Sequence, residues 1–295
     1  MIRRAVRIAC ALVAAIAFLG TTACAATAGP AAEVPAAGPA VLPALPPPDH
    51  VVIVMLENED EGDVLRDGPY LALLAASGAS LTDMHAETHP SQPNYLALFS
   101  GDTQGVDDDS CPLTFAVANL AGELVGAGHT FAGYSEDLPS VGFTGCHAGE
   151  YARKHSPWAN FSNVPAEANQ PLWAMPSDYT ALPTVSFLIP NLCHDMHDCS
   201  IAEGDDWLRQ KIDGYAQWAR THNSLLIISF DESESKSDAD NHIATLAVGQ
   251  RVTPGPIAER ADHYRLLRTL EDLYGLPALG HSADTTPISG LWSAQ

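Results

Sequence analysis

Two short apolar runs, each ending abruptly in a pair of acidic or amide side chains, constrain this chain more than any other feature. His50-Val51-Val52-Ile53-Val54-Met55-Leu56 is continuous, rich in β-branched residues and followed at once by Glu57-Asn58. Ser224-Leu225-Leu226-Ile227-Ile228-Ser229-Phe230 is its counterpart and runs into Asp231-Glu232. Runs this short and unbroken predict strands buried on both faces, which belong in a mostly parallel sheet covered by helices. Further strands are expected at 80–85, 130–135, 184–189 and 243–248. Helices are expected at 70–76, 92–99, 113–125, 205–221 and 264–274, several of them stopped by glycine. Strands alternating with helices define an α/β fold. The stretch 140–183 has no clear period and reads as a long excursion over the active face.

The N-terminus reads as an export signal. Arg3, Arg4 and Arg7 precede an apolar run from Ile8 to Gly20, too short to span a bilayer comfortably. Ala23-Cys24-Ala25 and Ala26-Thr27-Ala28 both fit cleavage sites, so residues 1–28 are assigned to the signal. An uncleaved anchor and a lipoprotein attached through Cys24 are the alternatives. No other stretch is long enough for a transmembrane helix. Residues 29–48 are rich in Pro and Ala and form an extended linker. Residues 49–295 suit one catalytic domain.

The chain has 14 basic and 36 acidic residues, a net charge of −22. Loss of the signal removes three arginines and no acid, which brings the balance to −25. That argues against a nucleic-acid partner, which needs clustered Lys and Arg. Cys111, Cys146, Cys193 and Cys199 remain after export and suggest two disulfides. Three pairings are open. Cys193–Cys199 is favoured because it is local, with Cys111–Cys146 as the remainder; the spacing does not suit a metal site.

Ligands of open α/β sheets bind beyond the carboxyl ends of strands. Glu57, Asn58, Asp231 and Glu232 could therefore meet around one hard cation, provided the chain leaves the strand after each pair. A solvated acidic loop is the alternative. A second constellation is His89-Pro90-Ser91-Gln92-Pro93-Asn94-Tyr95. Ser91 there is either a helix N-cap or a nucleophile at a helix start, where free N–H groups suit a phosphate. Arg153-Lys154-His155 collects cations in an acidic chain. His194-Asp195-Met196-His197-Asp198 packs two His and two Asp into a loop between Cys193 and Cys199.

Together these segments resemble the phosphoesterase family that includes bacterial acid phosphatases and phospholipase C enzymes. The matching stretches run in family order from Glu57-Asn58 through Glu87 to Leu98, Glu136-Asp137-Leu138-Pro139, Tyr151 to His155, Thr184 to Phe187, Pro190-Asn191, Asp195 to Asp198 and Gly204-Asp205 to Asp231-Glu232. The resemblance implies a three-layer, alkaline-phosphatase-like α/β/α fold with a mostly parallel central sheet. It implies that Glu57, Asn58, Asp231 and Glu232 ligate one divalent metal ion, for which the oxygen donors favour Mg, Ca or Mn. It makes Ser91 the nucleophile, Asn94 a phosphoryl-oxygen ligand, and His155 and His197 hydrogen-bond donors or the acid. His89, His194, Lys154 and Asp198 rank lower.

The implied activity is that of a secreted or cell-surface phosphomonoesterase acting on a small phosphorylated substrate or phospholipid headgroup, phosphoinositides included. Phospholipase C members follow Glu-Asn with Arg-Ser-Phe and carry a glycine-rich, His-containing stretch after Asp-Glu. Here Glu59-Asp60-Glu61 and Ser233-Glu234-Ser235-Lys236 stand instead. A phospholipase C-type phosphodiesterase is therefore second, and a non-catalytic cation-binding surface protein is the rival from another class.

Overall fold

β1 (His50–Leu56) is followed by α1 (Glu61–Asp67), α2 (Pro69–Ser77), β2 (Ala79–Leu81), β3 (Met84–His85) and α3 (Ser91–Ser100). The middle of the chain holds α4 (Leu120–Gly126), β4 (Phe131–Ser135), the paired β5 (His147–Ala148) and β6 (Tyr151–Ala152), several 3-10 turns and β7 (Asn169–Pro171). After these come β8 (Val185–Ile189), α5 (Ile201–Ala219), β9 (Ser224–Phe230), β10 (Thr245–Gly249), β11 (Gly255–Ile257), β12 (Ala261–Asp262) and α6 (His263–Tyr274). This computed structural model describes residues 46–235 and 240–292. The expected signal, 1–28, Cys24 within it, and all but the last three residues of the 29–48 linker lie outside the described residues. Those last three already belong to the domain: Pro48 is buried, and its carbonyl accepts from the Tyr274 hydroxyl at 3.0 Å.

Eight strands form one sheet in the order β11-β2-β10-β9-β1-β8-β4-β7. Its pairings are parallel except for β10, which runs antiparallel to both neighbours. The two apolar runs are the central neighbours β1 and β9, buried along their length apart from the partly exposed His50. Helices α1, α2 and α5 pack together as one layer, and α3, α4 and α6 as the other. The mostly parallel three-layer α/β/α fold is therefore as expected. Among the described residues, no helix is long and apolar enough to cross a membrane.

Local expectations were corrected in four places. The helix expected over 113–125 begins only at Leu120, where the Asn119 side chain accepts from Gly122 N–H and caps it. The preceding segment is tied elsewhere, with Phe115 N–H bonded to the Asn160 carbonyl. The strand expected over 80–85 is two pieces, because Thr82 N–H turns away to the Ile257 carbonyl. The helix expected from 205 starts at Ile201, set by a reciprocal cap between Ser200 and Glu203. Helix α1 was not anticipated; its acid-rich, seven-residue sequence buries only Val64.

Two glycines matter to the site's scaffold. Gly133 on β4 lies under the Trp158 ring, where a Cβ would come within 2.1 Å. Gly101 ends α3 at φ 72°, against the Leu279 carbonyl.

Candidate active site

Register brings the strand-end pairs together. Leu56 pairs with Phe230, so Glu57 and Asp231 leave the sheet side by side. Asn58 adopts φ 50°, which turns the chain out of the strand and lets consecutive side chains serve one place. Its N–H donates to Asp231 Oδ1 at 3.1 Å. Glu57 and Asp231 are fully buried, and Glu232 is nearly so.

Helix α3 delivers Ser91 to this cluster. All ten of its residues are buried, so it crosses the layer rather than lying on the surface. Pro90 is the cap position and makes no side-chain cap bond. Ser91 does not cap either: its Oγ donates to Glu57 Oε2 at 2.9 Å and reaches Glu232 Oε1 at 3.3 Å. Tyr95, one turn on, donates to Glu57 Oε1 at 2.5 Å. His89 Nδ1 meets Glu232 Oε2 at 2.5 Å.

His155 stands between two acids, with Nε2 3.2 Å from Glu57 and Nδ1 3.2 Å from Asp195. Burial, with Lys154 and His197 nearby, pushes its imidazole well below its ordinary value. Burial first, then repulsion from Asp231 and Asp195, raises Glu57 well above the usual carboxylate range. Burial and the neighbouring Glu232 lift Asp231 to about 7, and burial lifts Asp195 to about 7. Burial alone would lower the Lys154 ammonium, but Glu57, Asp109 and Asp231 hold it above its ordinary value.

The other expected residues divide. Lys154 pairs with Asp109 at 2.9 Å beside the cluster. His197 sits at the rim, its ring 6.0 Å from His155, with Asp198 on its Nδ1 at 2.7 Å. Asp198 is exposed, and Asp195 holds the buried place beside His155 instead. His194 is turned away: it bonds Glu136 at 2.8 Å and stacks on Trp207. The Asn94 amide is committed to the loop before Ser91. Its oxygen accepts from Glu87 and Thr88 N–H, each at 3.1 Å, and its nitrogen donates to the Thr88 carbonyl at 2.8 Å.

Three contributors were missed in the sequence. Asp195 and Tyr95 lay within segments already singled out. Asp109 lay in the run Asp107-Asp108-Asp109, which reads as solvated, yet it accepts from Gln92 N–H at 3.0 Å as well as from Lys154.

The donor set fits a hard divalent cation. Asn58 Oδ1 and Asp231 Oδ2 are buried oxygens with no hydrogen-bond partner, and three carboxylates repel one another around them. Among the described residues, Asp60, Asp63 and Glu234 also bring carboxylate oxygens within 4.8 Å of one another, at partly exposed positions.

Beneath the site, both His263 ring nitrogens face acceptors. Nδ1 meets Glu87 Oε2 at 2.5 Å, and Nε2 meets the Phe230 carbonyl at 2.9 Å. Burial opposes the imidazolium, but the Glu87 carboxylate outweighs it and raises His263 to about 9. A folded value above the unfolded one stabilises fully below pH 6.5, and the contribution fades as pH rises through about 9. The size is on the order of 3 kcal/mol. We expect wild-type Tm to fall more steeply than that of His263→Gln between those pH values; parallel curves would refute the assignment.

Both disulfides are the favoured pairs, Cys111–Cys146 and Cys193–Cys199. Chain entropy gives the six-residue separation roughly 2 kcal/mol and the 35-residue separation roughly 4 kcal/mol. The short bridge brackets Asp195 and His197. Replacing Cys193 and Cys199 by Ser should therefore lower Tm less than opening the long bridge, yet reduce kcat/KM at least about tenfold. Thermal scans and initial rates on the two double variants check this.

A serine at a buried helix start thus faces strand-end carboxylates at the rim of the central sheet of an α/β/α fold. The solved structures agree on the fold. An alkaline phosphatase superfamily protein from Vibrio parahaemolyticus superposes with TM-score 0.56 at 12% identity, covering 80% of this chain and 70% of that one. The lipoteichoic acid synthase LtaP of Listeria monocytogenes gives 0.54 at 11% identity, covering 82% and 74%. The chain belongs to the Phosphoesterase family, whose model matches residues 64–277. It is 47% identical to the phosphatidylinositol-3-phosphatase of Mycobacterium tuberculosis, covering 94% of each chain. It is 31% identical to the phosphate-repressible acid phosphatase of Penicillium chrysogenum, covering 79% of this chain and 60% of the relative. The protein is a phosphoric ester hydrolase, and its relatives are phosphatases.

Proposed function

We propose an exported, metal-assisted phosphomonoesterase that works through Ser91. The observation that carries it is the Ser91 hydroxyl held between Glu57 and Glu232, next to the unpartnered Asn58 and Asp231 oxygens. Glu57, Asn58, Asp231 and Glu232 would hold one divalent ion, Mg, Ca or Mn. When bound, such an ion supplies positive charge for the phosphoryl oxygens and lowers the serine pKa.

Ser91 Oγ attacks phosphorus as its proton passes to the Glu57 carboxylate that accepts its hydrogen bond, and the bond to the leaving oxygen breaks in line. Lys154 adds a fixed positive charge to an otherwise acidic site. His197, open to solvent at the rim, gives the leaving oxygen its proton, while neutral His155 stays as a hydrogen-bonding partner. Water then releases phosphate from the phosphoserine. Asn94 acts by fixing the 87–90 loop ahead of Ser91 rather than by touching the phosphoryl group. Residues 1–28 direct export, which suits a chain with two disulfides.

The Mycobacterium tuberculosis relative's name points to phosphatidylinositol 3-phosphate among the monoesters this chain accepts. p-Nitrophenyl phosphate, its bis ester and phosphatidylinositol 3-phosphate should be compared as substrates. We expect turnover of both monoesters at least about a hundredfold above the bis ester. Preference for the bis ester would favour a phospholipase C-type phosphodiesterase. No turnover of any, with calcium-dependent stabilisation, would favour a cation-binding surface protein.

A further inference from the structure

Asp109 is the one acid of its run that turns inward. Asp107 and Asp108 are exposed, whereas Asp109 is half-buried and uses each of its oxygens for a different element. Oδ1 accepts from Gln92 N–H at 3.0 Å, and Oδ2 accepts from Lys154 Nζ at 2.9 Å. Gln92 follows Ser91 in the first turn of α3, where N–H groups have no partner inside the helix. Pro90 makes no side-chain cap bond there, and the Ser91 hydroxyl is turned to carboxylates. Asp109 supplies the missing acceptor from 17 residues away, at the helix end that favours negative charge.

Lys154 stands between two sets of acids. Glu57 and Asp231 attract its ammonium, and so does Asp109 on the other side. The Asp109–Lys154 pair forms part of the wall of a cavity of about 180 Å³, so the long side chain has room to swing once released. Freed from Asp109, the ammonium would be drawn to the buried Glu57 and Asp231. A covalent link joins the same two segments. Cys111, two residues past Asp109, is bonded to Cys146, whose carbonyl accepts Arg153 N–H at 2.9 Å, one residue before Lys154. The ion pair therefore forms between segments already held together, and little ordering entropy opposes it.

We propose that Asp109 is a positioning residue for phosphoryl transfer. Its single carboxylate ties the Lys154 ammonium to the residue next to Ser91 and keeps that charge from collapsing onto Glu57 and Asp231. The role rests on the reading of Ser91 as nucleophile and of Lys154 as a fixed charge for the phosphoryl group. Asp109 acts through Lys154 and does not itself touch the substrate.

A double-mutant cycle on kcat/KM for p-nitrophenyl phosphate tests this on the purified full chain. Asp109→Asn keeps the shape and an acceptor for Gln92 N–H, and removes the charge that holds Lys154. It should lower kcat/KM at least about tenfold. In a Lys154→Met background the same change should cost less than about twofold, because no ammonium is left to hold. Asp109→Glu restores the charge and should return kcat/KM to within about threefold of wild type. Asp109→Ala carries the same cycle if Asp109→Asn fails to fold. Equal losses in the two backgrounds are what a merely structural role gives, and they would overturn the proposal while leaving Lys154 in the catalytic reading. Wild-type kcat/KM in Asp109→Asn would overturn it too. Wild-type kcat/KM in Lys154→Met would remove Lys154 from the catalytic reading, and this proposal with it.

Discussion

Ser91→Ala is expected to lower kcat by at least roughly a thousandfold while the protein stays folded. The hydroxyl faces carboxylate acceptors, Glu57 and Glu232 among them. It therefore contributes no cap to α3, whose start is set by Pro90 and by the Asp109 bond to Gln92 N–H. Removing it takes one donor from a cluster already crowded with negative charge, so Tm should change by less than about 2 °C. A purified variant that keeps a tenth of wild-type kcat would exclude Ser91 as the nucleophile. A variant that loses activity together with its fold would show that the hydroxyl's role is structural.

Asp231→Ala is expected to lose both metal and activity, with activity down more than about a hundredfold. Asp231 Oδ1 is held by Asn58 N–H, which leaves the buried Oδ2 free to ligate. Without a cation the cluster would repel a phosphate dianion, since Glu57, Asp231, Glu232 and Asp195 lie around it. Strong, prolonged chelation of wild type should inactivate it for the same reason. Asp231→Asn separates charge from shape, because it keeps an acceptor for Asn58 N–H. Chelated Asp231→Asn should be at least as stable as chelated wild type, since one source of buried repulsion is gone. Elemental analysis reads the outcome. Full activity with less than about a tenth of an ion per chain would remove the metal from the account.

The central sheet was legible because β1 and β9 carry unbroken apolar runs that admit few other environments. The strand-end residues were legible for the same reason, since a parallel sheet sends such ends to one rim. Ser91 was less so. From sequence it could equally have been an N-cap, and the hydrogen bonds of its hydroxyl speak against that role. The roles of the histidines were harder still, because they depend on where irregular backbone goes. His197 and His194 are three residues apart, yet one faces His155 and the other stacks on Trp207. Asp109 was hidden in an acidic run, and its partner Lys154 is 45 residues away.

The most direct test of a serine-based mechanism is to trap the intermediate. Wild-type enzyme is mixed with a ³²P-labelled monoester, quenched in acid within the first turnover, digested and mapped. The account predicts acid-stable label on Ser91, present in wild type and absent from Ser91→Ala. Label on a histidine, label on another serine, or full turnover with no labelled peptide would contradict it.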